Sequence, residues 1–174
     1  MKPIISIIVS IQWCPGSPNH FGIGLGKELL HPLWDDLQNF KAVTLEKDIV
    51  MGRITRETIP NKKKRLKDRN NHVISKTLQS EEGDEIIIHQ SLDQALESLK
   101  GSKEIMIIGG GRLYEEALPK ADRIYLTIVH GDKPADIFFP RINLEEEFSN
   151  IIEIKDLKDE QTGTPWTYMV AERT

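Results

Sequence analysis

Residues 4–11 read Ile-Ile-Ser-Ile-Ile-Val-Ser-Ile, apolar at odd and even positions alike. A strand with one wet face alternates, whereas one covered on both faces does not. The run therefore predicts a central strand with a layer on each side. Residues 12–30 carry Pro15, Gly16, Pro18, Gly22, Gly24 and Gly26 and read as a long loop, of a length that usually serves function. Helical spacing sets in over 32–44, with Pro32 near the first turn. Asp48-Ile49-Val50-Met51 is a short strand that stops at Gly52, and 54–59 can make one or two helical turns. Asn71 to Ser75 and Glu85 to Ile88 are further strands. Ser91 caps a helix over 92–100, with Gln94 completing a capping box.

The clearest unit follows. Glu104 to Ile108 is a strand, Gly109-Gly110-Gly111 a turn, Arg112 to Leu118 a helix stopped by Pro119, and Arg123 to Val129 a strand. Such a crossover implies a parallel pair. Residues 151–156 and 166–172 are strand-like with no helix between them, which suits an antiparallel hairpin at a sheet edge. The pattern predicts one α/β domain over 1–174. Its sheet is mostly parallel and twisted, with an antiparallel C-terminal edge hairpin and helices on both faces.

Composition narrows the field. With 174 residues, 39% hydrophobic and 29% charged, the chain can bury a core without staples. A net charge of −4 gives no reason to expect nucleic acid, and the basic run Lys62-Lys63-Lys64-Arg65 holds no aromatic to stack a base. The single cysteine, Cys14, leaves no intrachain disulfide or Cys-cluster zinc site and fits a reducing cytosol. No apolar run approaches a membrane span. Trp13-Cys14-Pro15 does not resemble a signal cleavage site. No His and acidic residues stand at metal-ligand spacing. A cytoplasmic monomer acting on small molecules is expected, without membrane or nucleic-acid partners.

Three features carry chemistry. On a helical wheel at about 100° per residue with Leu33 at 0°, Leu37, Phe40 and Thr44 fall within about 40° of it, and Val43 near −80°. Asp36, near −60°, lies inside this apolar stripe, while Asp35 lies on the opposite, solvated face. A carboxylate on the core side is either a buried Asp satisfied by a backbone N–H or a threonine, or a ligand-binding, proton-handling group with a shifted pKa. Second, Gly109-Gly110-Gly111 between strand and helix would let a phosphate approach a helix N-terminus, or is simply a tight turn. Neither it nor Gly22-Ile23-Gly24-Leu25-Gly26 matches the dinucleotide fingerprint. Third, Gly52-Arg53-Ile54-Thr55, Ser75-Lys76 and Gly111-Arg112 each follow a strand, where ligands of open α/β sheets bind. Three such ends suggest an anion with several phosphates.

These residues also match a family. Gly22-Ile23-Gly24, Leu33 to Phe40, Ile49-Val50-Met51-Gly52-Arg53-Ile54-Thr55, Arg69 to Ser75, Ile107 to Tyr114 and Ala135 to Pro140 resemble dihydrofolate reductases nearly end to end. The resemblance implies NADPH as cofactor, dihydrofolate as substrate, hydride transfer to pterin C6 and protonation of N5. Asp36 would bind the pterin's N3–H and 2-amino group and help bring the proton. Thr127 matches the threonine that hydrogen-bonds it. Ile8, Val9, Leu37, Phe40, Ile59, Leu66, Ile108 and Tyr114 would line the substrate pocket, and Arg69 would grip the glutamate α-carboxylate. Arg53, Ser75 and Lys76 would sit near the 2′-phosphate. Thr55 and Gly110, Gly111, Arg112 and Leu113 would hold the pyrophosphate. Ile23 and Gly24 would lie near the nicotinamide, with Ser10 and Gly52 also on the cofactor side.

The chain departs from the family at several places. Leu30-His31 stands where the family has Pro-Trp, Arg56 where it has Trp, Ser10 where it has Ala, and the loop from Gln12 to Gly22 is longer. His31, preceding the helix of Asp36, is expected to replace the indole N–H as a donor to the active-site water, or else to be a solvent-facing helix-start residue. The nearest rival is a riboflavin-pathway pyrimidine reductase, which has less use for Asp36 or Arg69. A non-catalytic NADPH or folate binder is a rival of another class.

Overall fold

The computed structural model describes residues 1–14, 16 and 20–174. Pro15 and Pro18, part of the expected loop, lie outside the described residues. The first strand, β1 (Ile4–Trp13), has the two covered faces its composition demands. Ile5, Ile7, Val9 and Ile11 point into one cluster, with Leu92 and Ala95 of α3 (Leu92–Ser98) and Leu113 and Ala117 of α4 (Gly111–Ala117). Ile8 points the other way, where Phe40 and Val43 of α1 (Trp34–Thr44) close a second cluster over Ile49 and Met51 of β4 (Asp48–Gly52). The same period of two splits Val50 from Met51 and Ile107 from Met106. Helices thus lie on both faces. Among the described residues, no helix is long and apolar enough to cross a membrane.

Further elements are β2 (Phe21–Leu25), β3 (Glu28–Leu29), α2 (Arg53–Thr58), β5 (Asn70–Ile74), β6 (Ile86–His89), β7 (Glu104–Ile107), β8 (Arg123–Val129), β9 (Ile137–Phe138), α5 (Leu144–Glu147), β10 (Asn150–Lys158) and β11 (Pro165–Glu172). The main sheet runs β10-β11-β8-β1-β7-β4-β5-β6, with β2, β3 and β9 attached beside β1. The pairs β1·β7, β1·β8, β4·β5, β4·β7 and β5·β6 are parallel, while β10·β11 and β11·β8 are antiparallel. The expected C-terminal hairpin is the sheet edge.

Four expectations need correction. First, β7 and β8 are parallel but do not pair with each other. The doubly covered β1 lies between them. Second, much of the glycine-rich stretch is strand rather than loop: β1 runs on to Trp13, and β2 pairs with β1, β3 and β9. Gly22 is there for close approach, since a Cβ on it would lie 2.8 Å from Ala135 Cβ. Third, Pro32 precedes the helix instead of entering it; α1 opens after Leu33 without a side-chain cap. Fourth, Ser91 does cap α3 through the Gln94 N–H (3.1 Å), but Gln94 Oε1 accepts from the Gln90 N–H (2.6 Å), one residue before a capping box would place it.

One polar cluster is buried at the β4–β5–β6 edge. His72 Nδ1 lies 2.9 Å from His89 Nε2, and His72 Nε2 3.3 Å from Asp48 Oδ1. Asp48 also accepts from Ser102 (2.6 Å) and Asn70 (2.9 Å). Since the carboxylate has no hydrogen to give, His72 Nε2 donates to it, and a neutral His72 then accepts at Nδ1 from His89. Burial lowers both imidazole pKa values, with Asp48 opposing at His72 and the His72 charge adding at His89. A lowered His stabilises the fold fully above its unfolded value of 6.5, and that contribution is lost as pH falls below it. The melting temperature should hold between pH 8 and 7 and drop below pH 6.5, by about 2–4 °C per kcal/mol. The variant His72→Gln should show a shallower slope. A slope equal to the parent's would clear the pair of this role.

Candidate active site

Asp36 sits in the first turn of α1, one turn before Phe40, and leans over the β1–β8 seam. There Ser10 of β1 is in register with Thr127 of β8. Thr127 Oγ1 donates to Asp36 Oδ1 at 2.6 Å. Burial raises the carboxyl pKa, and the hydroxyls of Thr127 and Ser10 partly offset it. An unpartnered buried carboxylate would be far more costly, so these hydroxyls let the group exist in either charge state. Ser10, expected on the cofactor side, therefore stands at Asp36. Asp35, expected to be simply solvated, is tied to the turn between β10 and β11. Its N–H donates to Asp159 Oδ1 (3.1 Å), and its Oδ2 accepts from the Glu160 N–H (2.9 Å).

The apolar residues expected around Asp36 largely converge. Ile8, Ile59, Phe40, Leu66 and Ile108 share one cluster. Leu37, next along α1, is 39% exposed and is not part of this cluster. Val9 belongs to the opposite face, with Leu113, so only its backbone can reach the site that Ile8 faces. Tyr114 is buried beneath the seam, where its hydroxyl donates to the Ile8 carbonyl (2.8 Å). Burial, then the Asp36 charge, raise its pKa well above the ordinary value. Arg69 is held near the end of α1: Nε donates to the Lys67 carbonyl (2.8 Å) and Nη1 to Thr44 Oγ1 (3.2 Å). Burial lowers its pKa against the opposing charge of Asp68.

Two short helices begin side by side beyond the strand ends. Gly52 N–H donates to the Gly109 carbonyl at 2.8 Å, and neither Gly52 nor Gly110, the residues preceding α2 and α4, offers a side-chain cap. A Cβ on Gly110 would stand 3.2 Å from Thr55 Oγ1, and one on Gly111 3.3 Å from Ile137 Cγ2 and the Phe138 carbonyl. The glycines thus let the Thr55 hydroxyl and β9 approach the backbone at the start of α4, a glycine cradle with Ile23 and Gly24 of β2 beside it. Arg112 projects into solvent and Leu113 into the core, so their backbones alone face the cradle. Arg53 pairs with Glu57, Lys76 is exposed, and the Ser75 hydroxyl accepts from the N–H groups of Thr77 (3.2 Å) and Leu78 (2.9 Å).

His31 is placed differently from expectation. Expected to donate to the active-site water or else to face solvent, it has its Nε2 2.5 Å from Gln12 Oε1. Burial, then Lys133, lower its pKa, with Asp132 opposing. A cleft of about 640 Å³ beyond Gln12 is lined by Trp13, Cys14 and residues of the 129–135 segment; Asp36 does not line it. The hydrogen-bonding chemistry and the uncapped helix starts place the candidate site at Asp36 and the glycine cradle instead. Two residues near it carry no signal in the sequence. Gln12 is one of three polar residues in β1, with Ser6 and Ser10. Tyr168 of β11, in register with Thr127, feels the Asp36 charge: burial, with Glu153, Tyr125 and Asp36, pushes its hydroxyl up to about 12 against an Asn39 hydrogen bond.

Residues 9–173 match the family described as dihydrofolate reductase. The chain is similar to dihydrofolate reductase type 3 of Salmonella typhimurium, 49% identical over 119 residues, covering 67% of this chain and 70% of that one. It is 36% identical to the dihydrofolate reductase of Buchnera aphidicola subsp. Acyrthosiphon pisum over 97% of this chain and 99% of that one. It is 39% identical to the Haemophilus influenzae enzyme of the same name over 71% and 74%.

Proposed function

Since the chain belongs to the dihydrofolate reductase family, we propose that it reduces 7,8-dihydrofolate to 5,6,7,8-tetrahydrofolate with NADPH, adding hydride at pterin C6 and a proton at N5. The observation that carries this reading is Asp36, a carboxyl one helical turn from Phe40 of the apolar cluster, steadied by Thr127 and raised in pKa by burial. Such a group accepts two parallel N–H bonds from a pterin edge when ionised. Its raised pKa also keeps a proton within reach nearer neutrality. Ile8, Phe40, Ile59, Leu66 and Ile108 exclude water from the ring. Arg69, its fork steadied by Lys67 and Thr44, takes the tail carboxylate.

The glycine cradle fits a dinucleotide cofactor: two uncapped helix starts favour a pyrophosphate, and Gly110 and Gly111 present bare backbone there. Thr55 and the backbones of Gly110 to Leu113 would hold the pyrophosphate. Ile23 and Gly24 would flank the nicotinamide, and Arg53, Ser75 and Lys76 the 2′-phosphate. NADPH, when bound, supplies the hydride. The protein aligns the rings, keeps water from the hydride path and handles the proton at Asp36. The same reading has the enzyme act as a cytoplasmic monomer.

The test is loss of NADPH absorbance on adding dihydrofolate, and a protein that gives none is not this enzyme. Cofactor choice is a sharper check. Arg53 is held by an exposed ion pair with Glu57, which costs little to exchange for a phosphate. NADPH should beat NADH in kcat/KM, and Arg53→Ala with Lys76→Ala should remove most of that preference, about 10–100-fold for each charged hydrogen bond to the phosphate. Equal use of the two cofactors by the parent would move the adenosine site elsewhere.

A further inference from the structure

Gln12 forms a junction to which the reductase reading assigns no role. It stands two residues beyond Ser10 on β1, so both side chains leave the same face, and it is 1% exposed. Its Nε2 donates to the Lys133 carbonyl (2.7 Å) and approaches Cys14 Sγ (3.3 Å). Its Oε1 accepts from the Lys133 N–H (3.0 Å) and faces His31 Nε2 (2.5 Å). The two Lys133 bonds decide which end of the amide is which. Rotated, it would set NH₂ against a backbone N–H and oxygen against a carbonyl. With Oε1 fixed at His31, the hydrogen between them belongs to His31 Nε2, because an amide oxygen carries none.

The charged and titratable groups around His31 are Lys133 and Asp132 from the loop after β8, Cys14 behind Gln12 on β1, and Asp36 of α1 by way of Ser10. Gly131 backs the ring so closely that a Cβ there would lie 2.7 Å from Cε1. A neutral ring with its hydrogen on Nε2 has a lone pair on Nδ1. The expected role of His31 as a donor to water is therefore reversed, for the donor is already committed to Gln12. A void of about 10 Å³, at the lower limit for seating one water, is lined by His31, Ser10, Ile11, Ile23 and Leu30. The Ser10 hydroxyl acts on the Asp36 carboxylate.

We propose that Gln12 is a positioning residue: it locks His31 in the Nε2–H form, so that Nδ1 accepts from a water seated beside Ser10 and turns that water toward the Asp36 carboxyl. The role in the reaction rests on the reductase reading; the tautomer does not. Two measurements on the full chain separate them. Imidazole ¹⁵N spectra of labelled protein from pH 8 to 5 report which nitrogen carries the hydrogen, and NADPH loss with dihydrofolate reports kcat and KM.

The parent should show His31 neutral with Nε2–H at pH 7. Gln12→Leu should give mixed tautomers and a kcat about tenfold lower, with KM for dihydrofolate within about twofold of the parent. Gln12→Glu retains an oxygen acceptor for both His31 and the Lys133 N–H. It should restore the Nε2–H form, move the His31 titration upward and shift the pH–rate profile with it. If Gln12→Leu does not fold, the parent spectrum and Gln12→Glu decide. A parent ring protonated on Nδ1 overturns the lock. Mixed tautomers with unchanged kcat overturn the positioning role. A parent with Nε2–H but no dihydrofolate-dependent NADPH loss removes the reductase reading, and the positioning role with it, while the tautomer stands.

Discussion

Asp36→Asn is expected to lower kcat by about 10²–10⁴-fold, the usual worth of a positioned acid or base, while leaving the fold intact. Asn keeps the shape and can still accept from Thr127, but it cannot ionise to pair with a pterin or carry a proton. The fold should not suffer, because burial raises the Asp36 pKa above its ordinary 3.8. A raised carboxyl contributes stability that is complete below 3.8 and lost as pH rises through the folded value. Above that folded value the parent holds a carboxylate that would be better off in water. The variant should melt at the parent's temperature or above it, and the gap should close toward pH 4. A variant within a few-fold of the parent's kcat, or one that melts several degrees lower, would make Asp36 a structural residue.

The second large effect is expected at Arg69. Two of its nitrogens are occupied by Lys67 and Thr44, which fixes the plane of the guanidinium. A pre-set fork loses little entropy on taking a carboxylate, and truncating one partner of a charged pair costs about 2–5 kcal/mol. Arg69→Leu should raise KM for dihydrofolate by about 10²-fold or more. A dihydropterin lacking the glutamate tail should be nearly unaffected. Steady-state kinetics on both substrates decides it. An equal rise for both would leave Arg69 as a brace between α1 and the segment before β5.

Asp36 is legible in the sequence because α1 is long enough for its period to declare a face, and a charge inside an apolar stripe stands out. Its neighbour Asp35 misleads for the same reason: the wheel places it outward, but the hairpin turn at 159–162 reaches around to meet it. Ile8 and Val9 are expected together in one pocket although strand geometry sends them to opposite faces, so alternation could have separated them. Glycine in β2 is ambiguous in one dimension, because turn and close approach use the same residue and only the distant Ala135 decides between them. β9 spans two residues, too few for any period. Gln12 has no legible partner, since the groups it bonds lie 19 and 121 positions away.

The central place of β1 also bears on how the chain folds during synthesis. Its neighbours β7 and β8 arrive only with residues 104–107 and 123–129, so the strand made early must wait until residue 129 is out before both edges are paired. Pairings that distant form slowly. Meanwhile the β-branched run from Ile4 to Ile11 is an unpaired, uncharged strand of the kind that pairs with itself between chains. Nascent chains halted before residue 129 should need chaperone cover that the finished protein does not, and production yield should fall with temperature sooner than the melting point of the folded enzyme would suggest.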